Sequence, residues 1–191
     1  MAKFLESAPS CWKRPLVISA VPRDGEPYLD SFSLEADLPV NYWSQIYRFK
    51  KPIDVKVEAY RTEGRILTEI SVNTEAEVPC SRCLEPAGVA INGKLRYLFS
   101  LRPNEFAKEP EDGVHDGDEE LIILDSWEDE IDLAPMVWEV LITSLPPTVL
   151  CSPSCKWLCP VCGANMNLTP CSCKGEKGDP RFEILKSFVK D

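Results

Sequence analysis

The chain of 191 residues is long enough for one sizeable core, or one core with a small appended module. A composition of 44% hydrophobic and 27% charged residues is that of a folded globular chain and excludes a wholly disordered one. The formal charge of −10 is not spread evenly: Glu105 to Asp132 holds thirteen acids against one base, Lys108, so this segment carries −12 and the remainder +2. No apolar run reaches the roughly 20 residues of a membrane-spanning helix. Met1 to Glu6 lacks the apolar core of a secretory signal, so the expected location is cytoplasmic, with no membrane partner.

Taken in chain order, Leu16 to Val21, enclosed by Pro15 and Pro22, reads as a short strand, and residues 23–31 are turn-rich. From Pro52 the period becomes two: Ile53, Val55, Val57 and Ala59 alternate with Asp54, Lys56, Glu58 and Tyr60. Glu63-Gly64 supplies a turn, and Ile66 to Val72 reads as the returning strand of a hairpin. Val89 and Ile91 lead into Leu95, Tyr97, Phe99 and Leu101, again alternating. These runs point to an antiparallel sheet, open or barrel-like, with one face on a core.

Residues 103–120 are acidic and poor in large apolar side chains, which predicts a solvated loop. Leu121 to Leu124 predicts another strand. Asp132 is placed to cap a helix over 132–145, with Leu133, Met136, Val137, Val140 and Leu141 on one face and Trp138 and Ile142 adding a second. Pro135 is tolerated in the first turn and Pro146-Pro147 ends the helix. Asp179-Pro180 predicts the start of a short terminal helix carrying Phe182, Leu185 and Phe188. The fold class is therefore α+β: a β-rich domain over 1–150 and a cysteine-rich module over 151–191.

The chemistry lies in nine cysteines. Cys11 stands alone and reads as an ordinary thiol. The others cluster as Cys80 and Cys83, then Cys151, Cys155, Cys159, Cys162, Cys171 and Cys173. An odd count and a cytoplasmic setting disfavour a disulfide framework. Cys159-Pro160-Val161-Cys162-Gly163 has the composition of a zinc knuckle: two thiolates three apart grip one ion, and glycine after the second permits the tight turn. Cys171-Ser172-Cys173 can complete a tetrahedron. Cys80 and Cys83 with Cys151 and Cys155 would then form a second four-thiolate site between parts of the chain about seventy residues apart. Two structural zinc ions are expected, although spacing alone lets Cys155 exchange roles with Cys171 or Cys173.

Other cysteine chemistries fit less well. A thiol-disulfide exchanger, the alternative reading of C-x-x-C, needs its pair at a helix start in a βαβ setting. Cys80 and Cys83 instead follow a β-hairpin. The Pro79-Cys80-Ser81-Arg82-Cys83 half-motif of zinc deaminases lacks its upstream ligand and catalytic Glu, for the only histidine, His115, lies downstream. Open catalytic zinc sites use histidine or carboxylate ligands, whereas all-thiolate sites are closed. No enzymatic activity is expected.

Cys80-Ser81-Arg82-Cys83-Leu84, the stretch from Cys151 to Cys173 and the terminal Asp179-Pro180-Arg181-Phe182 together resemble the YceD family, named for large ribosomal RNA subunit accumulation. The resemblance covers roughly residues 40–191. It departs mildly at Lys156-Trp157-Leu158-Cys159, where the family commonly has Lys-Gly-Leu-Cys, and at Met166, where it favours Leu. Members without the distal cysteines keep the first C-x-R-C and a pair after the helix. The resemblance thus implies that Cys80, Cys83, Cys151 and Cys155 form one site and Cys159, Cys162, Cys171 and Cys173 the other. It also implies a non-enzymatic factor for processing of large-subunit ribosomal RNA or for early subunit assembly.

Two routes of action follow. Ribosomal proteins or rRNA-processing factors, being basic, would be captured by the acidic segment 105–132. Direct rRNA contact would use Arg48, Lys50, Lys51, Lys94, Arg96, Arg102, Lys174, Lys177, Arg181, Lys186 and Lys190, which are scattered and read more simply as a solvated surface. Each zinc with four thiolates adds a formal −2, which favours the protein-mediated route.

Overall fold

The computed structural model describes residues 3–23, 25–62, 64–101, 119–126 and 130–173. These fall into two compact units. The first comprises Met1–Val78 with Gly88–Pro147; the second takes in Pro79–Ala87 and the chain from Thr148 onward.

The period-two stretches make the sheet of the first unit. Strand β1 (Pro15–Val17) pairs antiparallel with the late strand β9 (Glu130–Asp132). The other strands are β2 (Tyr28–Leu34), β3 (Val40–Tyr42), β4 (Gln45–Phe49), β5 (Ile53–Thr62), β6 (Arg65–Pro79), β7 (Pro86–Leu101) and β8 (Glu119–Leu124). They join in one seven-stranded sheet: β2-β5-β6-β4-β3 forms a path, and β7 lies between β6 and β8. Ile53, Val55, Val57 and Ala59 of β5 are fully buried while Asp54, Lys56 and Tyr60 face solvent, as the alternation predicts. The β5–β6 hairpin sets Thr62 opposite Arg65, with Gly64 at φ +77°.

Three features differ from expectation. Strand β6 continues seven residues past Val72, because Thr74, Ala76 and Val78 keep the buried face although they are less apolar. Strand β8 runs parallel to β7, with Leu98 opposite Leu121, so the sheet is mixed rather than antiparallel. A parallel pair needs a crossover of a dozen or more residues, and residues 102–118 supply that length. Among the described residues there is no closed barrel, since β2 pairs only β5 and β8 pairs only β7. Most of the predicted acidic loop and the whole predicted terminal helix lie outside the described residues; Glu119 and Glu120 belong to β8.

The apolar segment after Pro15 is strand only to Val17. Ile18–Ala20 turns as a 3-10 helix whose Ile18 carbonyl, with that of Val21, accepts from the Arg61 guanidinium. Helix α1 (Ala134–Thr143) begins two residues later than predicted, because Asp132 is still the last residue of β9. Its carboxylate nevertheless accepts from the Ala134 N–H at 3.1 Å and the Arg14 N–H at 3.0 Å, joining the β1–β9 pair to the helix start. Met136, Val137, Val140 and Leu141 are buried, and Trp138 lies tilted against Trp12 with centroids 6.1 Å apart. The helix is thus covered on two faces, and a tight turn through Ser144 and Leu145 ends it before Pro146.

Candidate metal centre

The first thiol group is built on the turn between β6 and β7. The Cys80 N–H donates to the Glu85 carbonyl (2.8 Å) and the Leu84 N–H to the Cys80 carbonyl (3.0 Å). The Arg82 N–H points at the Cys80 sulfur (3.5 Å). This is the knuckle geometry: the turn aims amides inward and sets both cysteine side chains on one side. Leu84 closes it at φ +63°, a left-handed conformation that suits glycine. Cys151 and Cys155 come from the chain beyond Thr148, held by the Ser81 N–H donating to the Val149 carbonyl at 2.8 Å. The Cys80 and Cys155 sulfurs stand 3.8 Å apart, and those of Cys83 and Cys151 3.5 Å apart.

The second group repeats the knuckle. Here the Cys159 N–H donates to the Ala164 carbonyl (2.8 Å) and the Gly163 N–H to the Cys159 carbonyl (2.9 Å), with Gly163 at φ +73°. Cys171 and Cys173 complete it. Within each group of four, all the sulfurs lie within 4.8 Å of one another. Cys155, to which spacing left more than one role, stands in the structure beside Cys80, Cys83 and Cys151.

Do these thiols fit a zinc ion? A tetrahedral site with Zn–S bonds of about 2.3 Å has sulfur–sulfur edges of about 3.8 Å. The two separations in the first group match that edge and are far from the roughly 2.05 Å of a disulfide. All nine cysteines are free thiols.

The electrostatics agree with the geometry. Burial raises the Cys80 thiol, but amides of Cys83, Cys151 and Arg82 outweigh it and bring it down to about 6. Amides of Cys162 and Val161 bring Cys159 to about 6 as well. Conversely Cys151 is pushed up to about 12, first by the Cys83 thiol, and Cys173 to about 12, first by Cys162. The Trp157 amide draws Cys155 down as well. The first group thus favours thiolates at Cys80 and Cys155 and resists them at Cys83 and Cys151. The second favours Cys159 and resists Cys171 and Cys173, because neighbouring negative charges repel. A dication at the centre removes that repulsion. The donor set fits a metal ion of zinc's chemistry.

Cys11 is exposed and belongs to neither group. Cys80 and Cys83 sit on a β-turn rather than at a helix start, so the arrangement that activates a disulfide exchanger is missing from them. Sequence reasoning overlooked Asn167, whose side-chain N–H donates to the Cys155 sulfur at 3.3 Å while its oxygen accepts from the Lys156 N–H at 2.7 Å. The signal was the Asn165-Met166-Asn167 pair, a spacing suited to side-chain turns. It also overlooked Arg82, which reaches the Cys155 carbonyl (3.0 Å) and lies over the Trp157 ring at 4.4 Å. Of the basic residues on the sheet, Lys50, Lys51, Lys94 and Arg96 pair with Glu77, Glu75, Glu69 and Glu69. Arg102 and those from Lys174 onward lie outside the described residues.

Among the described residues no helix is long and apolar enough to cross a membrane. The family model described as large ribosomal RNA subunit accumulation protein YceD matches residues 68–189, a span holding all eight clustered cysteines. The chain is 29% identical over 149 residues to the Zea mays chloroplastic protein named large ribosomal RNA subunit accumulation protein YCED homolog 1, covering 65% of this chain and 50% of the relative. The Arabidopsis thaliana protein of the same name is 29% identical over 155 residues, 70% of this chain and 47% of its own. An uncharacterized Mycobacterium tuberculosis protein is 28% identical over 138 residues, 72% of this chain and 61% of its own. The chain thus spans about half the length of its plant relatives. No solved structure matches it. With its match running across both thiol groups, the chain belongs to the YceD family.

Proposed function

We propose that this chain is a non-enzymatic accessory factor in the production of large-subunit ribosomal RNA, acting in its processing or in early subunit assembly. Two structural zinc ions organise its cysteine-rich unit, one held by Cys80, Cys83, Cys151 and Cys155 and the other by Cys159, Cys162, Cys171 and Cys173. The observation that carries this reading is a single family match enclosing all eight thiols. The plant relatives' names speak of large ribosomal RNA subunit accumulation, which supplies the direction. An all-thiolate site keeps no position for a substrate, which supports a structural ion; zinc in such sites contributes roughly 10–16 kcal/mol to folding of isolated modules. A reducing compartment, expected to be the cytoplasm, keeps the thiols available. Ribosomal proteins or rRNA-processing factors are the proposed partners, attracted by the acidic segment 105–132, with direct rRNA contact as a second route.

The test has two arms. Metal analysis of protein purified under reducing conditions should find two zinc ions per chain, released with thiol exposure only by chelator and denaturant. Cells lacking the chain should accumulate less large-subunit than small-subunit rRNA, restored by the wild type but not by Cys83→Ser. Disulfides in place of metal would defeat the first statement, and an unchanged rRNA ratio the second.

A further inference from the structure

Trp157 combines two features that seldom coincide. It is 56% exposed, and its backbone sits at φ +65°, where glycine is at ease and a bulky side chain is not. The local structure enforces this conformation: the Trp157 N–H is directed at the Cys155 sulfur, and its carbonyl accepts from the Met166 N–H at 3.1 Å. The thiol group therefore holds an indole out towards solvent. Beside it opens a groove of about 700 Å³, with Leu158, Pro160 and Met166 as apolar walls and Arg82 and Lys156 as cations.

The charge around this groove is selective. Arg82 and Lys156 are the cationic side chains among the described residues of the second unit, and both line it. That unit's one described carboxylate, Glu85, does not; it accepts from the Asn165 amide at 3.2 Å. The ligand that complements this surface is flat, apolar on its faces and negatively charged at its edge. Arg82 already donates to the Cys155 carbonyl and covers one part of the indole. A purely apolar peptide segment would therefore leave Lys156 without a counterpart and the charge of Arg82 without an anion.

We propose that the groove receives an unpaired base of single-stranded RNA, stacked on the Trp157 indole, with the adjoining phosphate between Arg82 and Lys156. Aromatic faces flanked by basic side chains bind single strands in this manner, because every base offers a π-face and every nucleotide an anion. The choice of RNA rests on the ribosomal-RNA reading above; because the family resemblance leads one to expect glycine at this position, the Trp157 platform is a surface that this chain adds to that role.

The experiment is fluorescence anisotropy of a short dye-labelled single-stranded RNA of mixed sequence, titrated with the full chain purified under reducing conditions. Trp157→Gly should weaken binding by about fivefold or more. Glycine suits the backbone at this position, so metal content and melting temperature should hold or rise, which separates lost stacking from misfolding. Trp157→Phe should retain most of the affinity. Lys156→Gln should lower the slope of affinity against salt by about one counterion. Equal RNA affinity for wild type and Trp157→Gly overturns the proposal. So does an acidic, aromatic peptide whose binding Trp157→Gly abolishes while RNA binding is untouched, for the groove then belongs to a protein partner. In cells, full rescue of large-subunit rRNA by Trp157→Gly would sink the groove and leave the rRNA role standing. An rRNA ratio indifferent to deletion would instead sink that role, while the anisotropy result still decides whether the groove binds RNA.

Discussion

The two knuckles share one hydrogen-bond pattern but differ in the residue that closes it, so exchanging that residue should move the two sites in opposite directions. Gly163 sits at φ +73°, and a Cβ built there would meet no atom within 4 Å. Gly163→Ala therefore changes only backbone preference, and a left-handed L-residue costs roughly 1–2 kcal/mol. Leu84 already bears that cost at φ +63°. Its side chain is 66% exposed, so removing it forfeits about a third of the roughly 1.5–3 kcal/mol that full burial of a leucine contributes. Leu84→Gly should accordingly be neutral or stabilising by up to about 1 kcal/mol. Since the strain is felt in the formed knuckle, Gly163→Ala should weaken metal binding at the second thiol group by roughly 5–30-fold. The assay is competition with a chromophoric chelator under reducing conditions, following the two releases separately. The reasoning is refuted if Gly163→Ala leaves both releases unchanged, or if Leu84→Gly weakens metal binding as much as Gly163→Ala does.

Two further outcomes concern the first unit. A Cβ at Gly93 on β7 would lie 1.8 Å from the Ser144 hydroxyl oxygen, which can rotate away, but also 2.8 Å from the Ser144 Cβ and 3.0 Å from the Val140 carbonyl, which cannot. Urea unfolding should show Gly93→Ala destabilised by about 1–3 kcal/mol, while Gly88→Ala on the same strand, with open space around its Cβ, should be neutral or gain about 0.5–1 kcal/mol. Tyr97 donates to the Glu139 carboxylate at 2.9 Å, and burial first, then that carboxylate, raises its pKa above the ordinary value. A raised folded pKa gives stability that is complete below about pH 10 and lost as pH rises beyond it, so Tyr97→Phe should flatten the alkaline decline in urea midpoint measured from neutral pH upward. An alkaline decline as steep in Tyr97→Phe as in wild type would show that another group governs it.

Legibility followed the physics of each element. The β5–β6 hairpin was readable because burial on one face writes a strict alternation and the turn needs a glycine. The parallel pairing of β8 was not, because Leu121 to Ile123 looks the same whichever way its neighbour runs. The hairpin between β3 and β4 also went unread: Trp43 and Ser44 both adopt positive φ there, at 50° and 63°, without the Asn or Gly that usually marks such a turn. At the metal centre, identity and approximate grouping of the thiols could be read from spacing, since ligand pairs three apart are a local property. The stack of Arg82 on Trp157 could not, because it joins positions that only the folded first thiol group brings together. The positive φ of Trp157 gives a physical reason for the glycine that the family resemblance leads one to expect at this position: glycine is the unstrained residue there.

The distribution of buried side chains says why the thiols matter to folding. The first unit has an ordinary core, with Trp12, Tyr47, Tyr97, Phe99, Ile53, Ile70 and Leu141 among its fully buried residues. In the described part of the second unit the buried apolar residues are Cys80, Cys83, Cys155 and Cys159, joined only by Ala87 and Val149. Of its larger apolar side chains, Leu84, Trp157, Val161, Met166 and Leu168 are exposed, and Leu150 and Leu158 are half-buried. Hydrophobic burial on that scale cannot offset the conformational entropy of ordering some thirty-five residues at about 1–2 kcal/mol each. Among the described residues of this unit the sulfurs occupy the place where a larger domain puts leucine and phenylalanine, and on the proposed reading the metal they hold supplies the driving force. It follows that the apolar side chains of this unit, freed from making a core, are available at its surface for a ligand. On the proposed reading, the metal centre and the Trp157 groove are two consequences of one arrangement: the thiols inside drive folding, and the aromatic outside is left for recognition.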